Sequence, residues 1–337
     1  TYKGLAGVML IEDDASMSAD LPKTYGVDDF TLILQDKTFD AAGRMSYELT
    51  AEVFEDGFQG DAMVVNGAIA PVIQTVPTGL VRLRILNACN ARFLELSMAT
   101  SPITVIASDG GFLASPVETP SVLMSPGERY EILVDMGTAD TNTLNVNMDG
   151  GGGFFAGLFG GNAKIAALTL TRTSETGFAG AMPQRLANLS PADPSSATTT
   201  RAFELQMDVG ADLAALALAW DNVCGNVGAM AINGLPMKMD RIDETVRKGD
   251  TEIWRISVDD MLHPFHIHGC SFRILSQSGA EPPAYAQGWK DMVHVEEGWS
   301  DVLVQFNHDA PSDAPYMYHC HILEHEDCGM MGQFTVS

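Results

Sequence analysis

The sequence predicts an all-β protein built from at least two sandwiches or barrels in tandem. Three observations carry this. Short runs rich in Val, Ile and Leu recur along the chain, most of them bounded by Gly, Pro, Asp or Asn. One run alternates with period two, Leu80, Arg82, Arg84 and Leu86 against Val81, Leu83 and Ile85, the pattern of a half-buried strand. Helical patterning is confined to Ala211 to Trp220.

In chain order, strands are expected at Leu5 to Ile11, Thr31 to Gln35, Leu80 to Leu86, Phe93 to Met98, Ile103 to Ala107 and Tyr130 to Val134. A glycine-rich stretch, Gly150 to Gly153 with Gly157, Gly160 and Gly161, reads as a loop. It lacks the Gly-Lys-Ser/Thr ending that a phosphate cradle needs. Thr173 to Arg201 is rich in Ser, Thr, Pro and Ala without strand patterning, and reads as an interdomain linker. A second set of strands follows at Phe203 to Met207, Thr251 to Val258, Phe272 to Ser276, Met292 to Val295, Val302 to Phe306 and Gln333 to Val336.

The 337 residues are 46% hydrophobic and 19% charged, a globular balance rather than a disordered one. Asp and Glu number 44 against 19 Lys and Arg, a net charge of −25. That excess argues against nucleic acid or an anionic membrane as partner and favours attraction of cations. The longest nearly apolar run, Leu213 to Trp220, is far short of the about 20 residues a helical span needs. Five cysteines at irregular spacings, with no CxxC pair, are not a disulfide scaffold. Cys89 reads as a buried thiol and Cys224 as a loop thiol. A Cys270–Cys328 disulfide stays open.

The histidines are more informative. Of eight, three lie in His263-Pro264-Phe265-His266-Ile267-His268 and three in His319-Cys320-His321 with His325. His294 and His308 have no partner spacing and read as structural or exposed. Most of the 18 methionines read as core packing. Two imidazoles, one thiolate and a weak axial thioether make a blue-copper electron-transfer site. Cys320, His325 and Met330 supply thiolate, imidazole and thioether within one loop, and His263 is the natural second imidazole. Neighbouring side chains on a strand point to opposite faces. Cys320 therefore points one way and His319 and His321 the other, while His266 and His268 share a face. Four imidazoles then converge away from the thiolate site, joined to it covalently through Cys320. Such an arrangement suits the passage of single electrons from one copper to a second copper cluster.

These motifs resemble the C-terminal signatures of the multicopper oxidases, the laccase and ascorbate oxidase superfamily, and most of all its bacterial copper efflux branch. The likeness extends through Gly4 to Asp14, Leu86 to Arg92, Ile106 to Gly111, Gly288 to Asp291 and Phe306 to Pro311. It implies cupredoxin-like Greek-key domains and an exported, periplasmic enzyme. Substrate would be oxidised at a type 1 copper, and dioxygen reduced to water at a trinuclear cluster of one type 2 copper and a type 3 pair. Carried over by motif, His263, Cys320, His325 and Met330 would hold the type 1 copper, His266 the type 2 copper, and His268, His319 and His321 the type 3 pair. Glu326 stands where the family has a carboxylate thought to relay protons. Asp259 and Met261 stand at offsets that bind a substrate cuprous ion in the copper efflux branch. The reading that they are a loop Asp and a core Met stays open. The methionine-rich insert of that branch is absent around Ala211 to Trp220.

In this family eight histidines hold the cluster, four of them from two His-x-His pairs in the first domain. This chain has neither pair. The expected division is therefore 1–22 as the end of a first cupredoxin domain, 23–172 as the second, 173–201 as linker and 202–337 as the third. A separate N-terminal fragment of the same protein is the expected partner, beside dioxygen and either Cu(I) or a small organic reductant. Two other readings stay open: a laccase-like oxidase of phenols, and a blue-copper electron carrier without oxidase activity. Copper nitrite reductases fit less well, since they do not need histidines on both sides of the cysteine as well as the His266-x-His268 pair.

Overall fold

Strands dominate both halves of the molecule. The structure is a computed structural model that describes residues 1–148, 164–207, 230–258, 261–296 and 298–337. Contacts divide it into unit 1, Thr1–Ser46 with Gly60–Leu189, and unit 2, Tyr47–Gln59 with Ser190–Ser337.

Unit 1 holds β1 (Asp29–Phe39), β2 (Met45–Ser46), β3 (Ala62–Val65), β4 (Ala68–Ile69), β5 (Val72–Thr78), β6 (Leu80–Asn87), β7 (Leu94–Met98), β8 (Ile103–Ser108), β9 (Gly111–Thr119), β10 (Val122–Met124), β11 (Arg129–Asp135), β12 (Thr141–Asn147) and β13 (Lys164–Thr176). One sheet runs β4-β3-β1-β6-β11-β8-β9, with β2 beside β1, and the other runs β10-β7-β12-β13-β5. Strand β6 departs from the half-buried expectation. It lies between β1 and β11 and is buried on both faces, Arg82 and Arg84 included. The arginines are tolerated there because they are paired: Arg84 lies 2.6 Å from Asp29 and 2.8 Å from Glu12, and Arg82 pairs with Glu131.

Unit 2 holds β14 (Thr199–Met207), β15 (Met230–Ile232), β16 (Glu244–Val246), β17 (Thr251–Val258), β18 (His263–Ile267), β19 (Ser271–Ser276), β20 (Met292–Val295), β21 (Gly298–Gln305), β22 (Tyr316–Cys320) and β23 (Met331–Val336). Its sheets run β15-β14-β17-β21-β19 and β16-β23-β22-β18-β20. Both units obey one plan. In the first sheets β1 and β14 pair parallel with β6 and β17; in the second, β5 and β16 pair parallel with β13 and β23. By this plan β18 and β22 of unit 2 occupy the places of β7 and β12 of unit 1.

The core of unit 2 is aromatic. Phe203 lies 4.4 Å from Trp254 and 4.9 Å from Tyr318, and Trp254 lies 5.4 Å from Phe334, ring centre to ring centre. All four are buried. Tyr318 ties this cluster to the inner face of β22, two residues before Cys320 at the strand's end.

Two sequence expectations change. Leu5 to Ile11 is not a strand: it pairs with no ladder, and Leu5, Met9 and Ile11 are exposed. Apolar composition makes a strand only where a neighbouring strand offers hydrogen bonds. Helix α1 (Asp14–Ser18), capped by Asp13, follows it instead. The Thr173 to Arg201 connection is strand at both ends, since β13 runs to Thr176 and β14 starts at Thr199. Those ends are held by backbone pairing, which Ser and Thr composition does not reveal. The expected helix at Ala211 to Trp220, the glycine-rich loop and Cys224 lie outside the described residues.

Candidate metal centres

The chemistry of unit 2 gathers on two adjacent strands and the turn that follows them. β18 and β22 pair antiparallel with Phe265 opposite Cys320 and His266 opposite His319. Opposed residues share a face, so His263 and Cys320 point to the sandwich interior while His266 and His319 point out of the other side. After β22, helix α3 (Leu323–Asp327) turns the chain and brings His325 back beside Cys320.

Three ligand atoms meet on the inner face. His263 Nδ1 lies 3.5 Å and His325 Nδ1 3.7 Å from Cys320 Sγ, and all three residues are buried. Met330 is buried too, and its backbone ties the loop shut: its N–H donates to His325 O at 3.0 Å, and its carbonyl accepts from Cys320 N–H at 3.1 Å. His325 Nε2 lies 2.9 Å from the carbonyl of Glu55 in helix α2 (Ala51–Asp56). A carbonyl only accepts, so Nε2 carries the proton and Nδ1 turns its lone pair toward the sulfur. The Tyr47 hydroxyl donates to Glu324 Oε1 at 2.7 Å, beside that imidazole.

On the outer face, His266, His268 and His319 bring one ring nitrogen each within 4.8 Å of one another. His268 Nε2 and His319 Nε2 are 3.1 Å apart. His321 flanks this group, its ring centre 6.0 Å from that of His266 and 5.7 Å from that of His319. Carbonyls again set the tautomers. His266 Nδ1 donates to Asp291 O and His319 Nδ1 to Cys320 O, both at 2.8 Å, which makes each Nε2 the unprotonated nitrogen. Burial, and then the neighbouring His266, pushes the His319 imidazolium down to about 2. Burial lowers His268 as well. Imidazoles held neutral with lone pairs converging are what a metal requires. A site of two nitrogens and one sulfur, with the buried Met330 tied by its backbone to the same loop and an all-imidazole site on the other face of the strand, suits copper.

The remaining expected site residues are placed as follows. Glu326 Oε2 lies 3.3 Å from His319 Nδ1, and burial, then Asp327, raises its carboxyl to about 7. Met261 is half-buried two residues before His263, and Asp259 lies outside the described residues. Cys328 is disulfide-bonded whereas Cys270 is a free thiol, so the two are not joined. Burial lifts the Cys270 thiol to about 12. His294 pairs with Gln277, and His308 is exposed. Sequence reasoning missed Tyr47 and the Glu55 and Asp291 carbonyls. Backbone acceptors carry no residue signature, and Glu55 is 270 positions from His325.

Known proteins place the chain firmly. Two family models, each described as multicopper oxidase, match residues 10–154 and 205–337. The cell division protein FtsP of Proteus mirabilis is 34% identical over 100% of this chain and 67% of its own length. FtsP of Escherichia coli is 35% identical over the same shares. The chain thus spans about two thirds of the length of these curated relatives. Among solved structures, the laccase-like CueO of Ochrobactrum sp. is 36% identical with a TM-score of 0.85, over 97% of this chain and 70% of that one. McoA of Aquifex aeolicus is 31% identical with a TM-score of 0.81, over 100% and 72%. With sandwich units of cupredoxin kind, two ligand clusters on neighbouring strands and these relatives, the chain belongs to the multicopper oxidase family.

Proposed function

We propose that this chain is the larger part of an exported oxidase that takes single electrons from a cuprous ion and delivers them to dioxygen. One observation carries the reading: Cys320 of the inner cluster and His319 of the outer cluster are consecutive residues of β22. Copper bound there would supply one-electron uptake at the thiolate site and four-electron reduction of dioxygen to water at the imidazole site. His263, Cys320, His325 and Met330 would hold the first, type 1, copper. His266 would hold the type 2 copper, and His268, His319 and His321 the type 3 pair.

The protein's own groups do the rest. Cys320 provides the short covalent route, since its sulfur faces one cluster and its peptide bonds lead to the imidazoles of the other. Glu326, poised by burial to gain or lose a proton near neutrality and beside His319, is placed to hold a proton for the reduced oxygen. Met261, with Asp259 before it, would receive the cuprous ion: a thioether suits Cu(I), and a carboxylate the oxidised cation. The disulfide at Cys328 supports the exported, periplasmic setting. A separate N-terminal piece would supply the other two His-x-His pairs, and denaturing mass spectrometry of the native protein tests for it.

The similar Ochrobactrum protein is described as an oxidase of lignin model compounds, which keeps an organic reductant as the second reading. A non-oxidase role in cell division, the name the curated relatives bear, would leave both clusters without a task. Oxygen uptake by the copper-loaded protein with Cu(I), compared with dimethoxyphenol, separates these readings. Uptake driven by Cu(I) is expected. Fast phenol oxidation without added copper would sink the cuprous reading, and absence of a blue band near about 600 nm would sink the type 1 site itself.

A further inference from the structure

We infer that the Tyr47–Gln59 segment is a cap on the imidazole of His325, fixing its tautomer and deciding which reductants can touch it. The segment leaves unit 1 between β2 and β3 and belongs wholly to unit 2. Its helix α2 packs against α3. Two hydrogen bonds, from opposite ends of the segment, reach consecutive residues of α3: Tyr47 Oη to Glu324 at 2.7 Å, and Glu55 O from His325 Nε2 at 2.9 Å. Phe54 and Phe58 of the segment are buried, and the Tyr47 and Phe58 rings lie 4.9 Å apart. This is an anchored element with an apolar core, not a loop resting on the surface.

Its position has two consequences. The carbonyl holds the proton on Nε2, so Nδ1 faces Cys320 with its lone pair before any metal arrives. The same carbonyl occupies the edge of the ring that points away from the sulfur, and His325 is left with no exposed surface. A planar aromatic donor passes its electron by touching a ligand edge, and here that edge is covered. A small cation held by side chains beside His263 does not need it. The inference rests on the oxidase reading and narrows its substrate class to small cations rather than phenols.

The test follows the bleaching of the blue band under anaerobic stopped flow, a half-reaction that needs neither dioxygen nor the imidazole cluster. The native copper-loaded protein is compared with a variant whose residues 50–57 are replaced by a glycine–serine linker of equal length. The ratio of the dimethoxyphenol rate to the Cu(I) rate is expected to rise by roughly tenfold or more in the variant. An equal ratio in the two proteins overturns the cap. If Cu(I) is slow in both while the phenol rate rises, the cuprous reading fails and the cap stands. A second measurement does not depend on the variant folding or on copper. Nitrogen-15 NMR of the copper-free native protein is expected to show His325 as the Nε2–H tautomer with slow proton exchange. An Nδ1–H tautomer, or fast exchange at Nε2, overturns the cap.

Discussion

At the scale of single residues, the candidate ligands were readable because metal chemistry restricts side-chain type. Cys320, with histidines on both sides of it, carries its own geometry, since alternation along a strand sends neighbours to opposite faces. What was not readable is what holds those rings: the carbonyls of Glu55, Asp291 and Cys320 are backbone atoms that any residue possesses. Glu326 shows a residue whose environment the sequence could not supply. Burial raises its carboxyl from 4.5 to about 7. The folded copper-free protein then binds more protons than the unfolded one across that window. Its contribution to stability is complete below pH 4.5 and is lost as pH rises to about 7. Glu326→Gln removes this slope. In urea titrations of the copper-free protein, the variant is expected to gain on the native protein between pH 5 and pH 8 by up to about 3 kcal/mol. Asp327, also raised by burial, contributes the same sign, and because its charge helps to raise Glu326 the difference reports Glu326 together with its coupling to Asp327. Parallel pH profiles would show that the carboxyl is not perturbed.

At the scale of elements, most strands of both sets were readable from their apolar runs and turn residues. Leu5 to Ile11 was not, because its exposed side chains have no partner ladder, a fact about neighbours rather than composition. Helix α2 was also invisible: Ala51–Asp56 is too short for a periodic signal, and only the Thr50 cap, accepting from Val53 N–H, marks its start. One residue decides how β18 delivers His268. Gly269 follows it in the left-handed region at φ 66°, and a Cβ there would lie 2.3 Å from the Tyr316 ring. Tyr316 begins β22, and its half-buried ring would have to move to admit the methyl group. Gly269→Ala is expected to cost about 1–3 kcal/mol in thermal or urea unfolding, through strain at positive φ and displacement of that ring. It is also expected to lower copper uptake by the imidazole cluster before the blue band is affected, because His268 is adjacent and Cys320 lies at the other end of β22. Normal stability with full copper uptake would show that the turn has slack.

At the scale of the whole molecule, the sequence revealed two sandwiches but not that they follow one strand plan. The plan is a matter of backbone pairing, and its side chains have diverged. Where the inner face of β18 and β22 carries His263 and Cys320, that of β7 and β12 carries Leu94, Leu96, Leu144 and Val146; where the outer face carries His266 and His319, that of β7 and β12 carries Glu95, Ser97, Asn145 and Asn147. One copy of the plan has ordinary core and surface side chains where the other has ligands, so a repeat of structure leaves little repeat of sequence. Charge is the molecular property that composition does report. A net charge of −25 sets up a field that draws cations and is indifferent to neutral phenols. Salt shortens the reach of that field to about 10 Å at 0.1 M and about 3 Å at 1 M. If the reductant is a cuprous ion, kcat/KM for Cu(I) is expected to fall steeply as inert salt is raised across that range. The limiting kcat should hold steady, because the field acts on encounter rather than on transfer within the protein. The rate with a neutral phenol should not respond to salt. A flat response with Cu(I) would mean that the acidic surface serves solubility alone, and that the ion is captured only by the groups it touches.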